Sequence, residues 1–245
     1  MQTQTRNLYP VTLEASGIEL VLAELRPSEL LNALRSAGDD QSVTYRGIKV
    51  GVEGLRYSIR EVAGKPVEYQ DLVGPGWRTY FPRTRQAMAL VGAWTLVHMP
   101  TQDDLDKIKR SMSPKVEGLV ELWTLTLPAQ FPKEGEESDE DDPSSRDRVI
   151  VMEEGDLETV GEALRTAEAS SRAASAVGFA STLESLRRSI KSVDGAAVDL
   201  KKDRGFDAIF STRDVFLLGA VWDEIHQGGG EVAKLGEARS PSGAA

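Results

Sequence analysis

Leu55-Arg56-Tyr57-Ser58-Ile59-Arg60-Glu61-Val62-Ala63-Gly64-Lys65-Pro66-Val67 decides how this chain is read, because it is written twice. Residues 186–198 are Leu-Arg-Arg-Ser-Ile-Lys-Ser-Val-Asp-Gly-Ala-Ala-Val, identical at seven of thirteen positions at an offset of 131. The match extends in both directions. Upstream, Ala33-Leu34-Arg35-Ser36-Ala37 returns as Ala163-Leu164-Arg165-Thr166-Ala167. Downstream, Arg85, Trp94 and His98 return at the same spacing as Arg213, Trp222 and His226, so the only two histidines of the chain occupy equivalent places. A repeat of this length organises the whole sequence.

The 245 residues then divide into two similar units, 1–112 and 113–227, followed by a tail, 228–245, without apolar periodicity that is expected to be disordered. Each unit is expected to be α+β, a β-hairpin packed on about three helices. In the first, Val11–Leu13 and Ile18–Leu25 flank a Ser16-Gly17 turn and read as paired strands. Pro27 opens a helix that stops at Gly38, and Asp39–Ser42 is a loop. The repeated stretch is ambiguous in one copy, where Leu55, Tyr57 and Ile59 alternate like a strand. Ile48, Val52, Leu55 and Ile59 nevertheless fall at helical spacing, as do Phe179, Leu183, Leu186 and Ile190. Two copies sharing the stripe favour a helix, with Gly64 and Gly195 as its C-terminal glycines. After a Gly74-Pro75-Gly76 connector, Pro82–His98 reads as a third helix with the stripe Ala87, Leu90, Trp94, Val97. Val215, Leu218, Trp222 and Ile225 are its counterpart. Thr101 caps a short further helix. The linker is placed at Ser111–Pro114. Leu119–Leu127 and Arg148–Met152 form the second strand pair around an acidic loop, 133–147, and Asp156 caps a helix from Leu157 to about Ala176.

Composition narrows the function. Net charge is −10, which repels DNA and anionic membranes, so neither nucleic acid nor a membrane is an expected partner. The chain has no cysteine, which excludes disulfides, thiolate nucleophiles and thiolate metal sites. The N-terminus lacks the basic and apolar segments of a signal peptide, and no apolar run approaches the length of a membrane span; a cytoplasmic protein is expected. His98 and His226 each follow a core tryptophan near a helix C-terminus. They read as partly exposed side chains whose protonated form the helix dipole favours, not as metal ligands. The carboxylate run Glu134–Asp142 lacks the spacing of a calcium loop. No phosphate loop, dinucleotide fingerprint or nucleophile elbow is present, so no catalytic, cofactor-binding or metal-binding residue is assigned. The one segment that suggests recognition is aromatic and basic: Trp77, Tyr80, Arg83 and Arg85 are candidate protein-partner contacts.

The order of these signals resembles the small tail assembly chaperones of long-tailed bacteriophages. The counterparts here are Thr12-Leu13, Glu24-Leu25-Arg26, Ile59–Pro66, Phe81-Pro82-Arg83 and His98-Met99-Pro100-Thr101. The resemblance covers residues 10–112 well. It is weaker over 119–226, where Glu154-Gly155-Asp156 replaces Glu-Leu-Arg. It implies a non-enzymatic chaperone or adaptor that binds a tape-measure or tail tube protein during assembly, in the host cytoplasm if the chain is phage-encoded. A structural tail or baseplate component of the virion and an enzyme of unrecognised class are the alternatives. Duplication and the acidic loop depart from the one-domain form of that family.

Overall fold

The computed structural model describes residues 6–38, 43–117, 120–129, 146–200 and 205–226. The chain begins with β1 (Leu8–Leu13), β2 (Ile18–Ala23), α1 (Pro27–Ala37), α2 (Val43–Ser58), β3 (Ile59–Val62) and β4 (Lys65–Pro66). A 3-10 turn at Tyr69–Leu72 leads to α3 (Pro75–Tyr80), α4 (Thr84–His98) and α5 (Gln102–Ser111). The second half contributes β5 (Ser113–Glu117), β6 (Val120–Leu127), β7 (Arg148–Glu153), α6 (Leu157–Ser170), α7 (Ala174–Ser189), β8 (Ile190–Val193), β9 (Ala196–Ala197) and α8 (Thr212–His226). The fold is mixed α and β, with two antiparallel sheets ordered β1-β2-β3-β4 and β5-β6-β7-β8-β9 and helices packed on them.

The repeated stretch is both helix and strand. Its helical stripe holds through Leu55 and Leu186, and the helices end at Ser58 and Ser189. Ile59 and Ile190, expected to be the last helical positions, are instead the first strand residues. Gly64 and Gly195 are therefore not helix caps. Ala63-Gly64 and Asp194-Gly195 are two-residue hairpin loops with positive φ throughout, 51° and 72° in the first and 51° and 76° in the second. This is the turn whose twist matches that of the flanking strands. The new strands pair with the hairpins: Leu22 lies opposite Ile59 and Leu20 opposite Val62, while Met152 lies opposite Ile190 and Ile150 opposite Val193. A bulge falls at Val21/Leu22 and again at Val151/Met152. Each expected hairpin is thus part of a larger sheet. The helix stripe hid this because helix and strand share the same buried face without a glycine or proline between them.

Four other expectations change. The helix expected over 157–176 breaks at Ser171–Ala173, where the Ser171 hydroxyl takes the Ala173 amide at 3.2 Å in competition with the helix. The linker residues Ser113 and Pro114 belong to edge strand β5, opposite Thr124 and Trp123; an edge is where a sheet tolerates proline. Helix α4 starts at Thr84 rather than Pro82, its first turn held by the Arg83 amide on Gln86 Oε1 at 3.0 Å. The connector carries α3. The expected loop at 39–42, the tail 228–245 and residues 133–145 of the acidic loop lie outside the described residues. At the base of that loop the Ala129 amide donates to Asp147 Oδ1 at 2.8 Å.

The halves meet across α1, α5, α7 and α8, and helix α5 also packs on β6. One cluster of buried side chains runs through both, with Leu22, Leu55, Leu90 and Trp94 from the first half and Leu125, Ile150, Leu186 and Leu218 from the second. The matched tryptophans differ: Trp94 is buried, whereas Trp222 is half-buried and donates its indole N–H to Ser189 Oγ at 3.1 Å.

Close approach of α2 and α4 depends on glycine. A Cβ on Gly54 would lie 2.6 Å from the Trp94 ring, whereas one on Gly47, in the same helix, meets nothing within 4 Å. Helix propensity favours alanine at both sites by about 1 kcal/mol. Gly47→Ala should therefore stabilise the protein by about 0.5–1 kcal/mol, while Gly54→Ala should destabilise it by about 1–3 kcal/mol through overpacking. Urea unfolding of the two variants checks this difference in sign.

Candidate protein-binding groove

In each half an imidazole ties the end of one helix to the entrance of the half's first helix. In the first half, His98 at the end of α4 uses Nδ1–H to donate to the Trp94 carbonyl at 2.8 Å, and its Nε2 accepts the Leu25 amide at 2.9 Å. In the second, His226 at the end of α8 makes the same pair of bonds, with the Trp222 carbonyl at 2.7 Å and the Gly155 amide at 2.9 Å. An Nε2 that accepts requires the neutral, Nδ1-protonated ring. The expected partly exposed, protonation-prone histidine is thus corrected for His98, which is fully buried. Burial pushes its pKa down to about 4, against the upward pull of backbone contacts at Trp94 and Ala23. Both ring nitrogens are engaged by backbone in each copy. No cluster of three or more metal-ligating side chains occurs among the described residues.

Beside the first lock, the seam between halves buries charge. Arg148 pairs with Asp214 at 2.6 Å and donates to the Ile209 carbonyl at 2.7 Å, both side chains being almost fully buried. Asp214 also accepts the Ser211 amide at 2.9 Å, while Ser211 Oγ accepts the Asp214 amide at 3.2 Å, so the pair caps α8. Glu24 is buried next to this cluster. Desolvation first, and then the Asp214 carboxylate, push its pKa up to about 7, despite the opposing Ser211 hydrogen bond and the Arg148 and Arg213 charges. Across the seam, Thr212 donates both its amide and its hydroxyl to the Leu25 carbonyl, at 3.1 and 2.8 Å. Arg213 pairs with Asp104 at 2.9 Å, and Asp207 takes the Ser28 amide at 3.2 Å. None of these was legible as a site in the sequence. Glu24 looks like part of a helix start, and only the docking of the second half buries it.

The same seam leaves a groove of about 410 Å³ between α1 and α2 on one side and α7 and α8 on the other. Leu34, Val50, Phe179 and Phe216 supply apolar walls, and Asp223 stands at the lining. Gly219 lets α8 lie close to α7, since a Cβ there would sit 2.8 Å from the Thr182 methyl. The Ser175 hydroxyl lines the groove and has no hydrogen-bond partner among the described residues. The volume is in the range of ligand and side-chain pockets, and its walls are helical and mostly apolar.

The sequence-derived candidates do not line the groove. Trp77, in α3, is half-buried and packs at 4.9 Å on Phe81, with the Arg56 guanidinium 5.9 Å from its ring. Tyr80 is also half-buried, 6.3 Å from Phe81. Their rings serve to anchor the connector on the core. Arg83 and Arg85, at the start of α4, are exposed. Arg213, the sequence counterpart of Arg85, is buried against Asp104.

His98 and Glu24 act on stability in opposite senses. His98 protonates in the unfolded chain near pH 6.5 but in the folded chain only near 4, so its contribution is present above pH 6.5 and lost as pH falls toward 4. Glu24 binds its proton more tightly when folded, so its contribution is present below pH 4.5 and lost as pH rises through 7. Each shift corresponds to about 3 kcal/mol. Over pH 4.5–6.5 they nearly cancel. Glu24→Gln should leave the histidine term alone, giving a stability that climbs by about 2–3 kcal/mol across that window in urea titrations. A profile like that of the parent would contradict the assignment.

Comparisons of the chain with protein-family models, with curated proteins and with solved structures return no match.

Proposed function

We propose that this protein is a non-enzymatic assembly chaperone or adaptor of the phage tail type, which binds a tape-measure or tail tube protein during tail assembly. The observation that carries the reading is the helix-walled apolar groove at the seam, lined by Leu34, Val50, Phe179 and Phe216. A groove of this kind suits the apolar face of a helix, presented as side chains one turn apart. The matching occupant is an apolar helical segment that a tail protein exposes before assembly and buries afterwards. The motif order around Glu24-Leu25-Arg26 and Phe81-Pro82-Arg83 supplies the family; the groove supplies the means of binding. The chain's acidity keeps such a complex soluble.

A second reading, a structural part of the tail or baseplate, is favoured by a different observation: α4 exposes Met88 and Leu96, an apolar face suited to permanent burial in a particle. Mass spectrometry of purified particles separates the two readings. A chaperone is absent from mature particles, whereas a structural part is present in fixed stoichiometry.

Co-expression with the tape-measure or tube protein encoded alongside should yield a soluble complex. Ala220 lines the groove from α8, and Ala220→Arg would fill it with a charged stem. That variant should keep its circular dichroism and lose co-purification at least tenfold, about 1.4 kcal/mol or more of binding free energy. Undiminished co-purification would remove the groove from the mechanism.

A further inference from the structure

Each side of the contact that joins the halves has a related, unused face in the other half, on α4 and on α6. Within the chain, α8 docks on the first half: Thr212 bonds to the Leu25 carbonyl, Arg213 pairs with Asp104, and Leu217 is completely buried. Helix α4 carries the same docking face. Thr84-Arg85 repeats Thr212-Arg213 at an offset of 128, and Met88, Ala89, Gly92 and Leu96 stand where α8 has Phe216, Leu217, Ala220 and Glu224. Among the described residues nothing covers that face of α4. Thr84, Arg85, Ala89 and Gly92 are exposed, with Met88 at 46% and Leu96 at 83%.

One element of the receiving surface is duplicated. In the first half that surface is α1 and α5, and α5 has no counterpart among the described residues of the second half; Leu30 of α1 is 1% exposed beneath the second half, next to Leu34. At an offset of 130, α6 offers Val160 and Leu164, half-buried and 45% exposed. Leu25 and Gly155, whose amides are held by equivalent histidines, mark the same point of the two surfaces. The free ends are also opposite in charge. Arg83 and Arg85 stand at the start of α4, and Glu154, Asp156 and Glu158 are exposed around the start of α6. By the repeat, Arg83 takes the place of Ser211 and Glu154 that of Glu24, two residues in contact across the seam.

We propose that a second copy of this chain docks head to tail, the α4 face of one molecule on the α6 face of the next, repeating the contact that joins the two halves. Such a contact is heterologous: it uses different surfaces on the two partners and leaves one of each free for further copies. Continuity with the seam selects this occupant, and the Arg83–Glu154 pairing places opposite charges where the seam has Ser211 against Glu24.

Sedimentation velocity of the full chain over a concentration series tests the proposal. The parent should self-associate, more weakly at high salt because exposed charges are screened. Ala89→Glu blocks one face and Leu164→Glu the other; both sites are exposed, and circular dichroism checks the fold. Each variant alone should associate at least tenfold more weakly than the parent. An equimolar mixture of the two should form a dimer that grows no further, because one intact face of each kind remains. A parent that stays monomeric at its highest soluble concentration overturns the proposal. So does a Leu164→Glu variant that associates like the parent, which would indicate a two-fold α4–α4 contact instead.

Discussion

A neutral imidazole held between two backbone groups is the constraint on which each half depends. Helices α4 and α8 each end in a histidine whose ring accepts the amide at the entrance to its half's first helix and donates Nδ1–H to the carbonyl one turn behind it. These bonds close loops of 73 and 71 residues. They also satisfy backbone groups that helix ends leave without partners. A stacked tryptophan, at 5.0 Å from His98 and 4.0 Å from His226, shields each ring from its other side. Protonation of either ring removes the Nε2 acceptor and leaves the amide it holds without that partner.

The seam is built on the same anchor. The residue whose amide His98 holds, Leu25, offers its carbonyl to Thr212, so one peptide region ties the first half to itself and to the second. Around it the chain accepts buried charge: Arg148 with Asp214, Arg213 with Asp104, and Glu24, whose Oε2 takes the Asn7 side-chain amide. Such pairs add little net stability compared with apolar packing, but breaking one is costly. Their effect is to fix one orientation of α8 on α1 and α5. The apolar groove beside them is what remains when helices of unequal side chains are held at that orientation.

The helix α1, both hairpins, the capped α5 and the equivalence of the histidines were legible in the sequence because each rests on local signals: Pro27, the Gly17 turn, Thr101, and a repeated spacing. The third strand of each sheet was not. Ile59 and Ile190 continue the apolar stripe of the preceding helix, so periodicity alone cannot say where the helix stops; the evidence lay in Ala63-Gly64 and Asp194-Gly195, dipeptides that suit a hairpin as well as a helix end. The groove and the buried Glu24 were illegible for a different reason. They exist only because the second half covers part of the first, and no local pattern encodes which face of a repeat will be covered.

The shared order β-β-α-α-β-β-α in the two halves, with β5, α3 and α5 unmatched, set against a seam that is filled once, has a consequence for symmetry. A duplicated chain delivers its units in pairs. Any closed ring built by repeating the seam contact must hold an even number of units, and its contacts must alternate between a tethered kind and an untethered kind. The rotational symmetry of the ring is then half its unit count. Sequence divergence is free to accumulate between alternating units, so the aromatic-basic segment and the acidic loop would each recur once per chain around the circumference.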